Sequence, residues 1–181
     1  YQRIDLFGEV VNGEMVLNNA GKIARIEWFK TAELRSYVKM HEDEFMIMPN
    51  HGHGIIWIVD DGKNIGVLRG NAQSRAEQRS APTKAVAPRS LGAIVRAYKS
   101  AVTYAVNGAE NQRSAVLWQK NYYEHIIRND RELNNIGWYI VNNPLNWQLD
   151  RDNLQNVRKL SPPEKIEEYL LDVEEMLRLK S

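Results

Sequence analysis

Two groups of side chains in this chain have the types and spacing to do chemistry. His51-Gly52-His53 opens an apolar run, and Tyr139 and Asn143 lie four residues apart in a later stretch. On an extended strand successive side chains alternate faces, so residues i and i+2 align and both imidazoles project from one side. Two convergent nitrogen donors can hold a divalent cation. On a helix, residues four apart stand one turn above each other, so the Tyr139 phenol and the Asn143 amide share a face. The first group therefore offers a metal-ligand pair, and the second offers a phenol nucleophile.

The patterning around these groups indicates the elements that carry them. Glu44 to Met48 and His53 to Val59 read as strands; the second is apolar on both faces, is expected to be central in a sheet, and ends at Asp60-Asp61-Gly62. Asn129 or Asp130 is expected to cap the helix bearing Tyr139, and Pro144 to limit its length. Phe7 to Leu17 alternates loosely around Asn12-Gly13, a hairpin-turn dipeptide. Asn18 or Asn19 then caps a helix in which Ile23, Ile26, Phe29 and Leu34 recur at helical spacing. Leu91, Ile94, Val95, Tyr98, Val102 and Val106 form a stripe closed by Asn107-Gly108, with Arg96 and Lys99 off it. Leu117 to Ile127 reads as a strand. Residues 62–90, with two of the six prolines and no sustained period, read as a mobile loop. After Pro162-Pro163, the apolar positions Ile166, Tyr169, Leu170, Val173, Met176 and Leu177 form an amphipathic helix expected to pack on the body or on a partner. Strands interrupted by helices, with antiparallel neighbours, imply an α+β fold: an antiparallel sheet with helices packed on one side.

At 181 residues, 43% apolar and 26% charged, the chain has the size and composition of one globular domain with a short extension. No apolar run approaches the roughly 20 residues of a membrane helix, and the opening YQRIDLFGEV has no signal-peptide layout, so no membrane partner and a cytoplasmic location are expected. The absence of cysteine excludes disulfides, thiolate zinc sites and cysteine nucleophiles, leaving nitrogen and oxygen as metal ligands. The net charge of +1 conceals a segregation: residues 1–62 carry six basic and ten acidic groups, residues 63–120 ten and two, and residues 121–181 eight and eleven. A basic middle of this kind attracts a polyanion even when the whole molecule is nearly neutral.

The segment FMIMPNHGHGIIWIV, followed in order by LGAIVRAYKSAVT, LWQKNYYEHIIRND and IGWYIVNNPLNW, resembles the single-tyrosine HUH transposases of the insertion-sequence type, and among them the REP-associated tyrosine transposases. The match runs from about Phe7 to Trp147. It implies a ferredoxin-like HUH nuclease fold, with a catalytic domain over residues 1–150 and an extension over 151–181. It also implies His51 and His53 as metal ligands, Tyr139 as nucleophile and Asn143 as third ligand. Trp118, Gln119 and the run Tyr122 to His125 match a signature of the family without an assignable role. His125 is read as structural and His41 as solvated; Trp57, Trp118, Tyr122 and Trp138 could stack on bases, but aromatic residues in strands and helices are more often core, and they are read so here. Two departures stand out. Gly52 replaces the bulky apolar residue usual between the ligand histidines, with a loss of strand stiffness and packing. The first strand usual in relatives is also expected to be missing, leaving its place repaired by another segment or open.

The resemblance further implies metal-dependent cleavage of single-stranded DNA beside a hairpin, through a 5′-phosphotyrosine, with strand transfer by a second 3′-hydroxyl in DNA transposition. A phenol ordinarily titrates near about 10, so charge on the attacking and non-bridging oxygens must be stabilised. The family favours Mg²⁺ or Mn²⁺, whereas imidazole ligands alone equally suit zinc, nickel or copper. Lys84, Arg89, Arg96 and Lys99 are the candidate phosphate contacts, and the state is expected to be a monomer or a homodimer. The alternatives are a DNA-binding module with weak or no catalysis, derived from such a transposase, and a metal-dependent hydrolase of small phosphoesters, against which the basic middle argues.

Overall fold

The computed structural model describes residues 5–62, 87–109, 117–150 and 152–153. Lys84, most of the 62–90 loop and the stripe from Ile166 to Leu177 lie outside these. In chain order the elements are β1 (Gly8–Val11), β2 (Glu14–Leu17), α1 (Asn19–Glu33), β3 (Val38–Lys39), β4 (Phe45–Ile47), β5 (Gly52–Gly54), β6 (Trp57–Ile58), α2 (Leu91–Ala109) and α3 (Asp130–Asn146). The described residues form an α+β protein whose strands pair antiparallel, β1 with β2, β3 with β6 and β4 with β5. The chain divides into two compact units, one drawn from positions 1–25, 41–55 and 116–181, the other from 26–40 and 56–115. No helix among the described residues is long and apolar enough to cross a membrane.

In the first unit, β1 and β2 form the hairpin expected from Asn12-Gly13. Both turn residues adopt positive φ, 53° and 80°, the backbone a two-residue type I′ turn requires. Asn18 then starts α1: its Oδ1 accepts the Gly21 N–H at 3.0 Å, and its Nδ2 donates to the Leu6 carbonyl at 2.9 Å. The inward face at this end is made of small residues, Ala20, Gly21 and Ala24. A Cβ on Gly21 would lie 2.2 Å from the Phe7 carbonyl oxygen, so the helix meets the preceding backbone at a distance only glycine permits. This corrects the expected apolar face. Ile26 and Leu34 are 54% and 78% exposed, Ile23 and Phe29 are half-buried, and the large residue the helix buries is Trp28.

The strand expected over His53 to Val59 is not continuous. It breaks at Ile55–Ile56 into β5, which pairs with β4, and β6, which pairs with β3 in the second unit. Each ribbon has two strands among the described residues, so an apolar sequence on both faces did not mark a central strand. Trp57 and Ile58 are exposed. Leu117 to Ile127 likewise has no regular secondary structure where described. Tyr123 and Ile126 are 70% and 71% exposed, so the run has no buried face for a period of two to serve. Its anchor is Trp118, whose ring packs on Phe7 with centroids 5.1 Å apart. Of the four aromatic residues read as core, Trp57 and Tyr122 are exposed and Trp118 and Trp138 are half-buried.

In the second unit, α2 buries Ile94, Tyr98, Val102 and Val106, one per turn, and the Tyr98 ring meets the Trp28 ring edge-on at 5.2 Å. Burial, with Glu27 adding to it, pushes the Tyr98 hydroxyl above the ordinary phenol range. Just before α2, Arg89 holds a φ of 62°, uncommon for a residue with a side chain. Its guanidinium grips Asp61 at 2.6 and 3.3 Å and lies 4.0 Å above the Tyr37 ring, while Ser36 donates to Asp61 at 2.6 Å.

In the first unit, α3 starts at a reciprocal cap. Asn129 Oδ1 accepts the Glu132 N–H, and the Glu132 carboxylate accepts from Asn129 Nδ2 and from the Arg128 N–H. The Arg128 N–H, with His125 and Asn129 adding to it, holds the Glu132 carboxyl below the ordinary range. Its stabilising effect is therefore complete above the usual glutamate pKa and lost as pH falls through the lowered one. Removing the cap with Asn129→Ala is expected to cost about 1 kcal/mol, read as a lower urea midpoint at unchanged slope. Pro144, expected to limit the helix, stands two residues before its end. It lies inside α3, which runs to Asn146 and tightens into a 3₁₀ turn over Trp147–Leu149. Lacking an N–H, proline cannot bond back to Ile140, and the final turn instead uses the Trp147 N–H to the Pro144 carbonyl.

Candidate active site

The histidines are set by a tight hairpin. Met48 N–H donates to the His51 carbonyl at 2.9 Å, closing a turn with Pro49 and Asn50 at its centre, and His53 then pairs with Met46 across the ribbon. As the i, i+2 spacing requires, the imidazoles share a face. Their rings meet edge to face with centroids 4.6 Å apart, and the two Nε2 atoms are 2.8 Å apart. Gly52, between them, is exposed, and a Cβ there would come within 3.1 Å of Ile47 Cδ1. The buried Ile47 thus occupies the space a side chain at position 52 would enter.

Helix α3 and the 3₁₀ turn that continues it bring Tyr139 and Trp147 to this pair. The Tyr139 ring stands edge-on to His53 at 5.3 Å, and two turns later the Trp147 ring lies 6.1 Å from His51. Asn143 sits one turn from each, so it belongs to the helix face turned toward the imidazoles. Its side chain is buried, at 2% exposure, and among the described residues Oδ1 has no hydrogen-bond partner. A buried polar atom of this kind costs stability unless something else satisfies it.

These residues fit a divalent cation. The 2.8 Å between the Nε2 atoms is close to the roughly 2.9 Å separating neighbouring ligands that each sit about 2.0–2.1 Å from an octahedral ion. The buried Asn143 oxygen would supply the hard donor such an ion prefers. Among the described residues no group of three or more His, Cys, Asp or Glu side chains converges.

Asn50, Trp147 and Asp152 also belong to this site, and residue types alone did not single them out. Trp147 extends the four-residue spacing of Tyr139 and Asn143, a signal the sequence did contain. Asn50 Oδ1 lies 2.8 Å from His51 Nδ1, and Asn50 Nδ2 donates to the Asp152 carbonyl at 2.8 Å. A cavity of about 390 Å³ borders α3 at Val141 and Pro144 and includes Gly13, Arg25 and Phe45 in its lining, but none of the four candidate residues.

The candidate phosphate contacts belong to the second unit where described. Arg89 is engaged with Asp61 and Tyr37. Arg96 is exposed, and Lys99 is half-buried, with burial pushing its ammonium below the ordinary lysine range. His125 lies 3.4 Å from Glu132 at the start of α3, consistent with a structural role, and His41 is exposed.

Fold and site together define an α+β protein in which a paired-imidazole ribbon faces a tyrosine- and asparagine-bearing helix. No family model matches the chain, and no solved structure matches it. An uncharacterized protein of Haemophilus influenzae is 39% identical over 146 residues, covering 81% of this chain and 76% of that protein. The chain belongs to the same family as that protein.

Proposed function

We propose that this protein cleaves single-stranded DNA beside a hairpin and transfers the cut strand through a 5′-phosphotyrosine at Tyr139, as a ferredoxin-like HUH transposase would. The observation that carries this reading is the placement of Tyr139 against His53 with the orphaned, buried Asn143 oxygen one turn away. A divalent ion, Mg²⁺ or Mn²⁺, held by His51, His53 and Asn143 would offset charge building on the phosphate oxygens.

The chain's own residues supply the covalent step. The Tyr139 phenolic oxygen, giving up its proton, bonds to the scissile phosphorus. The bond from phosphorus to the 3′ oxygen breaks, and that oxygen takes up a proton as a free 3′-hydroxyl. The phosphate remains joined to Tyr139, so another 3′-hydroxyl can attack the phosphorus and release the tyrosine without an external energy source. His51 and His53, fixed by the β4–β5 turn, and Asn143, fixed in the helix core, hold the polar face on which the phosphate rests.

The test is incubation with hairpin-bearing single strands, labelled on either side of the cut, in Mn²⁺. A denaturant-resistant protein–DNA adduct carrying only the label 3′ of the cut is expected. Retention of DNA without an adduct would replace this reading with a non-catalytic DNA-binding module, and cleavage that never passes through an adduct would make the protein a hydrolase.

A further inference from the structure

We propose that Asn50 is a positioning residue that locks His51 as the tautomer protonated on Nδ1, presenting the Nε2 lone pair to the face shared with His53, Tyr139 and Asn143. The inference deepens the metal-dependent reading above and rests on it for its effect on cation binding. Its statement about the ring stands on hydrogen bonding alone.

A backbone carbonyl can only accept. Asp152 O lies 2.8 Å from one end of the Asn50 amide, so that end is the NH₂ group. The other end, directed at His51, is therefore the Oδ1 oxygen, which also can only accept. It lies 2.8 Å from His51 Nδ1, so Nδ1 carries the hydrogen and donates it. In a neutral imidazole with Nδ1–H, Nε2 is a lone pair. That lone pair is the atom 2.8 Å from His53 Nε2. One carbonyl thus determines the amide orientation, the amide determines the tautomer, and the tautomer determines which nitrogen carries the lone pair.

The same contact joins two distant parts of the chain. Asn50 and Asp152 are 102 positions apart, and Asp152 closely follows the 3₁₀ turn that continues α3. Asp152 is held in turn by its own N–H donating to Asp150 Oδ1 at 2.6 Å. Outer partners of metal-binding histidines fix ring orientation in this way, and their loss typically weakens metal affinity about 10–100-fold.

Two variants separate orientation of the ring from simple tethering. Asn50→Asp keeps an oxygen acceptor for His51 Nδ1 and loses the donor to Asp152, while Asn50→Leu loses both. Long-range ¹H–¹⁵N spectra of the imidazoles, in the metal-free protein at a pH where the rings are neutral and with His51→Gln assigning the signals, report the tautomer directly. Wild type and Asn50→Asp are expected to show Nδ1–H at His51, and Asn50→Leu a mixture. By calorimetry, Mn²⁺ should bind Asn50→Leu about 10–100-fold more weakly than wild type, with Asn50→Asp close to wild type. A wild-type His51 protonated on Nε2 overturns the proposal whether or not the variants fold, as do Asp and Leu variants that behave alike. Wild-type protein with no Mn²⁺ affinity would instead end the functional reading, while the ring signals still decide this one.

Discussion

A Tyr139→Phe protein is expected to fold as wild type does, retain hairpin-bearing single strands, and form no covalent adduct. The substitution removes one oxygen and keeps the ring that stands edge-on to His53 at 5.3 Å, so the packing between helix and ribbon survives. No chemistry at all should survive if the phenol is the nucleophile, because a phenyl ring offers no atom that can bond to phosphorus. The measurement is adduct yield after denaturing electrophoresis beside retention on a native gel. An adduct that persists in Tyr139→Phe would assign the nucleophile elsewhere, and Tyr122 and Tyr123, both exposed, would be tested next.

Asn143→Leu is expected to move stability and activity in opposite directions. Leucine is similar in size and leaves no orphaned oxygen, whose burial costs about 1–3 kcal/mol. A gain of about 1 kcal/mol corresponds to a melting temperature about 2–4 °C higher for a chain of this size. Adduct formation should fall by at least about 100-fold, the scale on which losing one group that stabilises transition-state charge is felt. Asn143→Asp should do the reverse: a carboxylate among buried neighbours lowers stability in the absence of metal, and Mn²⁺ restores it. A destabilised Asn143→Leu would show that the amide has a structural partner and that the site is not strained toward a ligand.

The parts of the fold that could be read in advance share a local cause. Asn12-Gly13 specifies a turn because both residues tolerate positive φ, and Asn129 caps α3 because its side chain reaches an N–H only three residues on. The α2 stripe could be read for the same reason, since one helix face repeats every turn. What could not be read depended on partners distant in the chain. Hydrophobicity marked His53 to Val59 as extended but could not show that β5 would pair with β4 and β6 with β3. The small face of α1 became visible only once the Phe7 carbonyl was placed beside Gly21. The spacings of His51 with His53 and of Tyr139 with Asn143 were evident as two separate pairs; their meeting is a property of the folded chain. Asn50 stayed hidden because its meaning depends on a carbonyl 102 residues away.

The turn at Pro49-Asn50 also sets a limit on change. Strand side chains alternate with a period of two, so inserting or deleting one residue between Met48 and His51 would invert both rings at once. Closure of the turn by Met48 and His51, with the Phe7 N–H fastened to the Pro49 carbonyl from outside at 2.8 Å, leaves no slack to absorb such a shift. Loop length at this one place is therefore as much a determinant of ligation as the histidines themselves, and natural variation in the family should respect it even where the surrounding residues drift.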